Sequence, residues 1–150
     1  MLKVLWINCA QMTDSKIFID TAPFIYLLED NEQFSTAVRN RFSDYYMAEA
    51  QLCTSLITFT EYCVIPYRQG NTQKITDFEN FIADTGISVI PLTVSIAKYA
   101  SLLRSKYQGI KAMDALQLAF AIQNECDAFL TNDKQLRQIR EIKAVLVSEL

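Results

Sequence analysis

The amino-acid sequence predicts a three-layer α/β/α sandwich around a mostly parallel sheet of about five strands. Short β-favouring segments alternate with amphipathic helical segments, which is typical of a parallel sheet covered on both faces. Glycine and proline occur only three times each, too rarely for a turn-rich all-β protein. Hydrophobic residues make up 51% of the 150 residues, which is enough for one substantial core.

The first strand is expected over residues 17–19, where β-favouring apolar residues lead directly to Asp20. Pro23 suits the first turn of a helix, so residues 22–28 should form a short helix after that strand. Apolar side chains then recur at roughly helical spacing over residues 33–49. This spacing predicts an amphipathic helix that packs one side on the sheet.

The remaining segments continue the alternation of strands and helices. Residues 51–55 are expected to form the second strand, and Ser55 or Thr58 could cap a helix that continues to about residue 68. Pro66 should disrupt the end of that helix. The other expected elements are a helix over 72–84, a strand over 87–90, helices over 93–107 and 111–124, a strand over 128–131, a short helix over 133–140 and a strand over 144–147.

The composition excludes several classes of protein. A net charge of −3 argues against gripping nucleic acid by a large basic surface, although phosphates could still be met through a bound metal. The chain has no histidine, which excludes any mechanism that uses an imidazole base. Its four cysteines form no CxxC pair, so a zinc site would need an unusual ligand set. We expect reduced thiols that pack as small apolar residues in a cytoplasmic protein.

The N-terminal segment is expected to be neither a signal peptide nor a membrane helix. Its apolar run at residues 4–7 is too short for either. Met12 stands shortly before the first expected strand. We therefore expect residues 12–150 to form a single domain and residues 1–11 to be an extension upstream of the native start.

Four carboxylates stand alone in apolar stretches or at the ends of expected strands: Asp20, Glu61, Asp114 and Asp133. Glu61 is the only charged residue between positions 52 and 67, and Asp114 is the only one between positions 112 and 124. An isolated carboxylate in apolar surroundings is costly unless it is paired, hydrogen-bonded or bound to a cation. Because the carboxyl ends of parallel strands meet at one edge of a sheet, we expect the four acids to converge there.

Each acid also has a simpler structural explanation. Asp20 and Asp133 precede helices and could be N-caps, Asp114 lies in a first helical turn, and Glu61 could belong to a buried ion pair. Together, however, clustered carboxylates repel one another and raise each other's pKa values unless a divalent cation offsets the charge. Oxygen ligands without histidine or cysteine suit Mg²⁺, with Mn²⁺ as the alternative.

At this point the residues resemble the PIN-domain nucleases, and among them the VapC-like toxins of prokaryotic toxin-antitoxin pairs. The motifs that carry the resemblance are Ile17-Phe18-Ile19-Asp20-Thr21 with Tyr26-Leu27-Leu28-Glu29, Thr54-Ser55-Leu56-Ile57-Thr58 with Glu61, Asp114-Ala115-Leu116-Gln117-Leu118-Ala119, and Leu130-Thr131-Asn132-Asp133. They stand in family order and cover nearly the whole chain after Met12. Ala22 departs from the pattern, since many relatives carry a polar residue there.

The resemblance implies Mg²⁺-dependent endonucleolytic cleavage of RNA by a metal-activated water. It implies that Asp20, Glu61, Asp114 and Asp133 form the acidic metal site and that Thr131 is a polar neighbour of that site. Asp20 and Asp114 are the first candidates for direct metal ligands, while Glu61 and Asp133 bind directly or through water. The implied partners are an RNA substrate, a cognate antitoxin protein and a second copy of the chain in a homodimer, without any membrane.

Two other classes of enzyme fit the sequence less well. A haloacid-dehalogenase-like phosphatase needs an aspartate at the position of Ala22, and a response-regulator receiver needs paired acids at the first strand and a lysine after the last. Two alternatives stay open: a PIN nuclease of RNA maturation without a toxin role, and a catalytically inactive PIN-like module that binds a partner protein.

Few basic residues are available to contact phosphates. Lys134, Arg137, Arg140 and Lys143 follow Asp133 at nearly helical spacing, and Arg104 and Lys106 precede the helix of Asp114. A solvated charged surface explains these cations equally well.

Overall fold

Short apolar strands buried between helices organise the fold. The computed structural model describes residues 14–150, and these form a five-stranded sheet in which every strand pair is parallel. The strands are β1 (Lys16–Ile19), β2 (Gln51–Ser55), β3 (Ser88–Ile90), β4 (Ala128–Thr131) and β5 (Lys143–Leu146), in the spatial order β3-β2-β1-β4-β5. The order reverses between β1 and β4, so the point where open α/β sheets bind ligands lies between these two strands.

Helices fill the connections between the strands. They are α1 (Thr21–Leu28), α2 (Ser35–Met47), α3 (Leu56–Tyr62), α4 (Val64–Arg68), α5 (Thr72–Thr85), α6 (Val94–Lys106) and α7 (Ala112–Gln123). A 3₁₀ helix (Lys134–Gln138) connects β4 to β5, and another (Val147–Glu149) follows β5. None of the helices within residues 14–150 has the length and hydrophobicity needed to cross a membrane.

Alternate residues of the central strands point to opposite faces of the sheet and pack into two separate cores. Phe18 of β1 and Phe129 of β4 stack with ring centroids 5.2 Å apart on the face covered by α6 and α7. Ile17 and Ile19 point to the other face, where they pack with Phe24 of α1 and with side chains of α2 and α5. The predicted three-layer α/β/α sandwich is therefore confirmed, with a sheet that is parallel throughout.

One predicted helix is divided in two. The expected helix from Ser55 to about residue 68 breaks at Cys63 into α3 and α4. Pro66 has no amide hydrogen for the Tyr62 carbonyl and its ring would clash with that carbonyl, so the interruption falls one turn before the proline and not at it. Ser55 is the N-cap of α3, where its hydroxyl accepts a hydrogen bond from Ile57 N at 3.1 Å.

The predicted extension over residues 1–11 lies outside the described residues. The single domain expected over 12–150 stays a prediction at its N-terminal boundary. Elsewhere the expected element bounds differ from the observed ones by at most two residues, and β2 and β4 begin and end where the sequence predicts.

Candidate active site

The carboxylates of Asp20 and Asp133 lie at the same edge of the sheet, at the ends of neighbouring strands. Asp20 follows β1, and its backbone N donates to Leu130 O of β4 at 2.9 Å. Asp133 follows β4, with one residue, Asn132, between it and the end of the strand. Both are also N-caps, because Asp20 Oδ1 accepts from Thr21 N at 2.8 Å and Asp133 Oδ1 accepts from Gln135 N at 2.9 Å. Each of these two aspartates is therefore both a helix N-cap and an acid at the carboxyl end of a strand.

Thr131 connects these two acids. Its hydroxyl donates to Asp20 Oδ2 at 2.7 Å and accepts from the backbone N of Asp133 at 3.2 Å. The side chain is fully buried as the last residue of β4. The Thr131 hydroxyl thus fixes the position of one carboxylate oxygen of Asp20 relative to the backbone of Asp133.

Glu61 reaches the site from an unexpected part of its helix. In a helix that runs from Ser55 or Thr58 to about residue 68, as the sequence predicts, Glu61 would lie near the start, but it is the penultimate residue of the short helix α3. Side chains on a helix point back toward its N-terminus, so a long glutamate can return to the edge where α3 begins. Glu61 Oε1 accepts a hydrogen bond from Thr21 Oγ1 at 2.8 Å, which places it beside the residue that follows Asp20.

Asp114 lies in the first turn of α7 and is partly buried. Burial raises its pKa most, and the charges of Asp133 and then Glu61 raise it further, while nearby Lys111 lowers it. The first turn of α7 lies at the same edge of the sheet, because Gln117, one turn after Asp114, is hydrogen-bonded to Ser55 at the carboxyl end of β2.

The charge at this edge is poorly compensated. Burial raises the pKa of Asp20 to about 6, and the neighbouring charges of Glu61 and Asp114 add to the increase. The hydrogen bonds from Thr131 and from Thr21 N lower this pKa but do not offset the rise. A cation at this position would relieve the repulsion among these acids.

The donor set fits a hard divalent ion in its chemistry. All four side chains offer only oxygen, which is the ligand type of Mg²⁺ and Mn²⁺. As placed within residues 14–150, no three Asp, Glu, Cys or His side chains form a group that could hold a metal ion.

Gln117 is a site-related residue to which sequence reasoning assigned no role. It lies on the buried side of α7, one turn after Asp114, and is 1% exposed. Its Nε2 donates to Thr58 Oγ1 at 2.9 Å and, through a longer contact of 3.4 Å, to Thr21 Oγ1. Its Oε1 accepts from Ser55 Oγ at 2.5 Å. A single amide among apolar residues of a buried helix is the sequence signal that could have identified it.

The buried polar network continues from Gln117 to the first strand. Thr58 shares a hydrogen bond of 2.7 Å with Thr54, whose hydroxyl donates to Ile19 O at 2.8 Å. Ile19 directly precedes Asp20. Among the described residues, no buried side-chain nitrogen or oxygen lacks a hydrogen-bond partner. The backbone and side chains that carry Asp20 and Glu61 are therefore held by a fully satisfied polar layer beneath the acids.

The structure separates the candidate phosphate-binding cations. Lys143 begins β5 at the opposite edge of the sheet, where it pairs with Asp14 at 2.8 Å, and Arg137 pairs with Glu149. Within the described chain, exposed Lys111 and Lys134 make no ion pair, and each lies within three residues of a site acid. These two lysines are better placed for a phosphate than the others.

Replacing Thr131 by Val should remove the hydroxyl while keeping the shape of the side chain. Because the Thr131 hydrogen bond lowers the pKa of Asp20, that pKa is expected to rise above its value of about 6. Any activity that needs ionised Asp20 should then fall by about tenfold, most strongly at the acidic end of a pH profile. Thr131→Ser, which retains the hydroxyl, is the matched control, and a Val variant with the wild-type pH profile would contradict this role.

Comparison with known protein families identifies a match over most of the chain. A family model described as PIN domain matches residues 17–142. No curated protein matches the chain by sequence.

Several solved structures have a similar fold. A toxin-antitoxin complex from Klebsiella pneumoniae is 22% identical, with 87% of this chain and 97% of that chain covered and a TM-score of 0.66. DNA-bound VapBC from Salmonella typhimurium is 19% identical over 88% of this chain and 98% of that chain, with a TM-score of 0.71. Mycobacterium tuberculosis VapC20, described as a sarcin-ricin loop cleaving toxin, is 16% identical over 75% and 86%, with a TM-score of 0.59. At these identities the likeness concerns the fold.

Proposed function

The chain belongs to the PIN domain family, and on that premise we propose that it is a metal-dependent endoribonuclease. The observation that carries the proposal is the group of partly buried carboxylates at the β1–β4 switch point, where the charges of Glu61 and Asp114 help to raise the pKa of Asp20 to about 6. Uncompensated negative charge of this kind destabilises a fold, and a bound cation would offset the repulsion among the carboxylates.

The proposed metal ligands are Asp20 and Asp114, with Glu61 and Asp133 bound directly or through water. When bound, Mg²⁺ or Mn²⁺ supplies an activated water and charge stabilisation for cleavage of a phosphodiester. Thr21 and Thr131 orient Glu61 and Asp20 through single hydrogen bonds of 2.8 Å and 2.7 Å. No side-chain nucleophile is needed, which agrees with a chain without histidine.

We further propose that the protein is the toxin of a toxin-antitoxin pair and acts on RNA in the cytoplasm. The support is its fold likeness to toxin-antitoxin complexes and to a toxin described as cleaving the sarcin-ricin loop. An antitoxin protein and a second copy of the chain are the proposed protein partners. A nuclease of RNA maturation would use the same acids, and an inactive binding module would not need the uncompensated charge.

Induction of the wild-type chain in a bacterium tests the function. Growth arrest with RNA cleavage is expected, and the purified protein should cleave RNA with Mg²⁺ and lose that activity when the metal is chelated. The Asp20→Asn chain serves as the inactive control. Cleavage without growth arrest would favour a maturation nuclease. If the folded wild-type protein neither arrests growth nor cleaves RNA, the endoribonuclease proposal is wrong.

The lysines beside the acids should contribute to RNA affinity. Replacing both Lys111 and Lys134 by Ala should weaken binding and make the dependence of log K on log salt shallower by about 1.4, at roughly 0.7 for each lost contact with a single strand. Lys143→Ala, at the opposite edge of the sheet, is the matched control and should leave the slope unchanged. If the wild type, the double variant and Lys143→Ala show the same dependence of log K on log salt, Lys111 and Lys134 do not contact the RNA.

A further inference from the structure

Two cysteines that are distant in the sequence meet on the α7 side of the sheet. Cys53 of β2 and Cys126, which precedes β4, are 73 positions apart, and their sulfur atoms lie 3.4 Å from each other. Cys53 is 3% exposed and Cys126 is partly buried against the same core cluster. Since β1 lies between β2 and β4, the contact passes over the central strand. The thiols thus form a pair, not isolated apolar fillers.

Hydrogen bonds fix both sulfur atoms. Cys53 Sγ donates to Ile17 O at 3.6 Å, which leaves Cys126 to donate to Cys53 Sγ. The hydrogen bond from Cys126 lowers the pKa of Cys53; burial opposes this decrease, and the smaller effect of the Lys16 charge adds to it, so that the pKa is lowered overall. Lys16 itself is held by a bond of 2.7 Å from Nζ to Asn124 O. Cys53 is therefore the sulfur that ionises first, in the kind of electropositive surroundings that make a thiol reactive.

A small oxidant has a route to Cys53. A cavity of about 490 Å³ in the described chain is lined by Lys16, Gln51, Cys53, Ser88 and Asn124, among other residues. Lys16 and Gln51 are the first residues of their strands, so this cavity lies at the amino edge of the sheet. The four acids lie at the opposite edge, which makes the thiol pair a separate site.

We propose that Cys53 and Cys126 are a redox-sensitive pair that hydrogen peroxide converts into an intramolecular disulfide. The Cys53 thiolate attacks one peroxide oxygen, the O–O bond breaks, and the leaving oxygen takes a proton to become water, which leaves a sulfenic acid. The Cys126 sulfur then displaces the hydroxyl group as a second water. Two thiols are oxidised and one hydrogen peroxide is reduced by two electrons. The sulfur atoms need to close from 3.4 Å to about 2.05 Å.

The bond would join β2 to the segment before β4 across β1. It would close a loop of the 73 positions that separate the two cysteines and so restrict the unfolded chain. The oxidised protein is expected to unfold at a temperature higher by on the order of 10 °C. This consequence does not depend on nuclease activity.

Peroxide treatment of a Cys9→Ser/Cys63→Ser chain tests the proposal, because that chain keeps only this pair of thiols. After treatment, denaturation in iodoacetamide and intact-mass measurement should show a monomer lighter by two hydrogen atoms, with no alkylated cysteine and with the higher unfolding temperature. Dithiothreitol should restore two alkylatable thiols. In the matched control, a further Cys53→Ser change should leave Cys126 alkylatable and the unfolding temperature unchanged.

Peptide mapping of the oxidised wild-type chain without reductant provides a second measurement that needs no substitution. A Cys53–Cys126 cross-linked peptide is expected. Two alkylatable thiols after peroxide treatment, a sulfinic acid in place of the bond, or a disulfide found only between two chains would each overturn the proposal.

Discussion

Replacing Asp20 by Asn is expected to reduce RNA cleavage by at least about a hundredfold while making the metal-free protein more stable at neutral pH. Asn can still accept the hydrogen bond from Thr21 N and fits the same space. It loses the negative charge that a metal ion needs, and its amide nitrogen cannot accept the hydrogen bond that Thr131 donates to Asp20 Oδ2. The same change thus removes activity and relieves the repulsion from Glu61 and Asp114.

The sign of the stability change follows from proton binding. The pKa of Asp20 rises from 3.8 to about 6 on folding, so between these values the folded chain binds more protons than the unfolded chain. Stability contributed by this group is therefore present below pH 3.8 and is lost as the pH rises to about 6. At pH 7.5 the penalty is about 3 kcal/mol, and Asn does not incur it.

Denaturant unfolding of both proteins at pH 7.5 and pH 3.5, without metal, checks this expectation. The variant should be more stable at the higher pH, and the difference should disappear at the lower pH. Added Mg²⁺ should stabilise the wild type more than the variant. Asp30→Asn, which changes an exposed acid whose φ of 47° suits Asn, is the matched control. An Asp20→Asn chain that retains cleavage would falsify the assignment of Asp20 to the metal site.

Replacing Gln117 by Leu should cost both stability and activity. The change leaves the buried hydroxyl of Ser55 without its acceptor and Thr58 without the amide donor, at a cost of about 2 to 4 kcal/mol. It also removes the amide contact to Thr21, the residue that orients Glu61. Cleavage should fall by about tenfold through kcat, with the KM for RNA little changed.

A second substitution separates positioning from general destabilisation. Thr58→Val combined with Gln117→Leu removes both partners of one bond, and Thr54 keeps its bond to Ile19 O, so stability should partly recover while kcat stays low. Gln108→Leu, at an exposed position four residues before the same helix, is the matched control and should leave both quantities unchanged. Recovery of kcat together with stability would show that Gln117 acts only on the fold.

Local patterns are sufficient to predict the sheet and the positions of Asp20, Asp114 and Asp133 in the fold. The apolar segments before Asp20 and Asp133 are β1 and β4 in the structure, and strand ends in a parallel sheet share an edge by geometry. Glu61 was placed wrongly along its helix because the effect of Pro66 extends back one turn and ends α3 early.

Other features depend on distances that no sequence window contains. Gln117 was visible as an isolated amide, but its partners lie on β2, α3 and α1, and only the packed structure brings them together. The contact between Cys53 and Cys126 spans 73 positions. Lys143 was grouped with Lys134 by spacing, yet the chain between them returns to the opposite edge of the sheet.

The strand order also determines when the protein becomes complete during its synthesis. β1 remains an open edge until β4 pairs with it, and the hydrogen bond from Thr131 to Asp20 joins residues 111 positions apart. At roughly 5 to 20 residues per second, a ribosome needs on the order of ten seconds to cover that interval. A nascent chain that stops before Asp133 therefore lacks one of the four acids, so the proposed nuclease should be inactive until Asp133 has been translated.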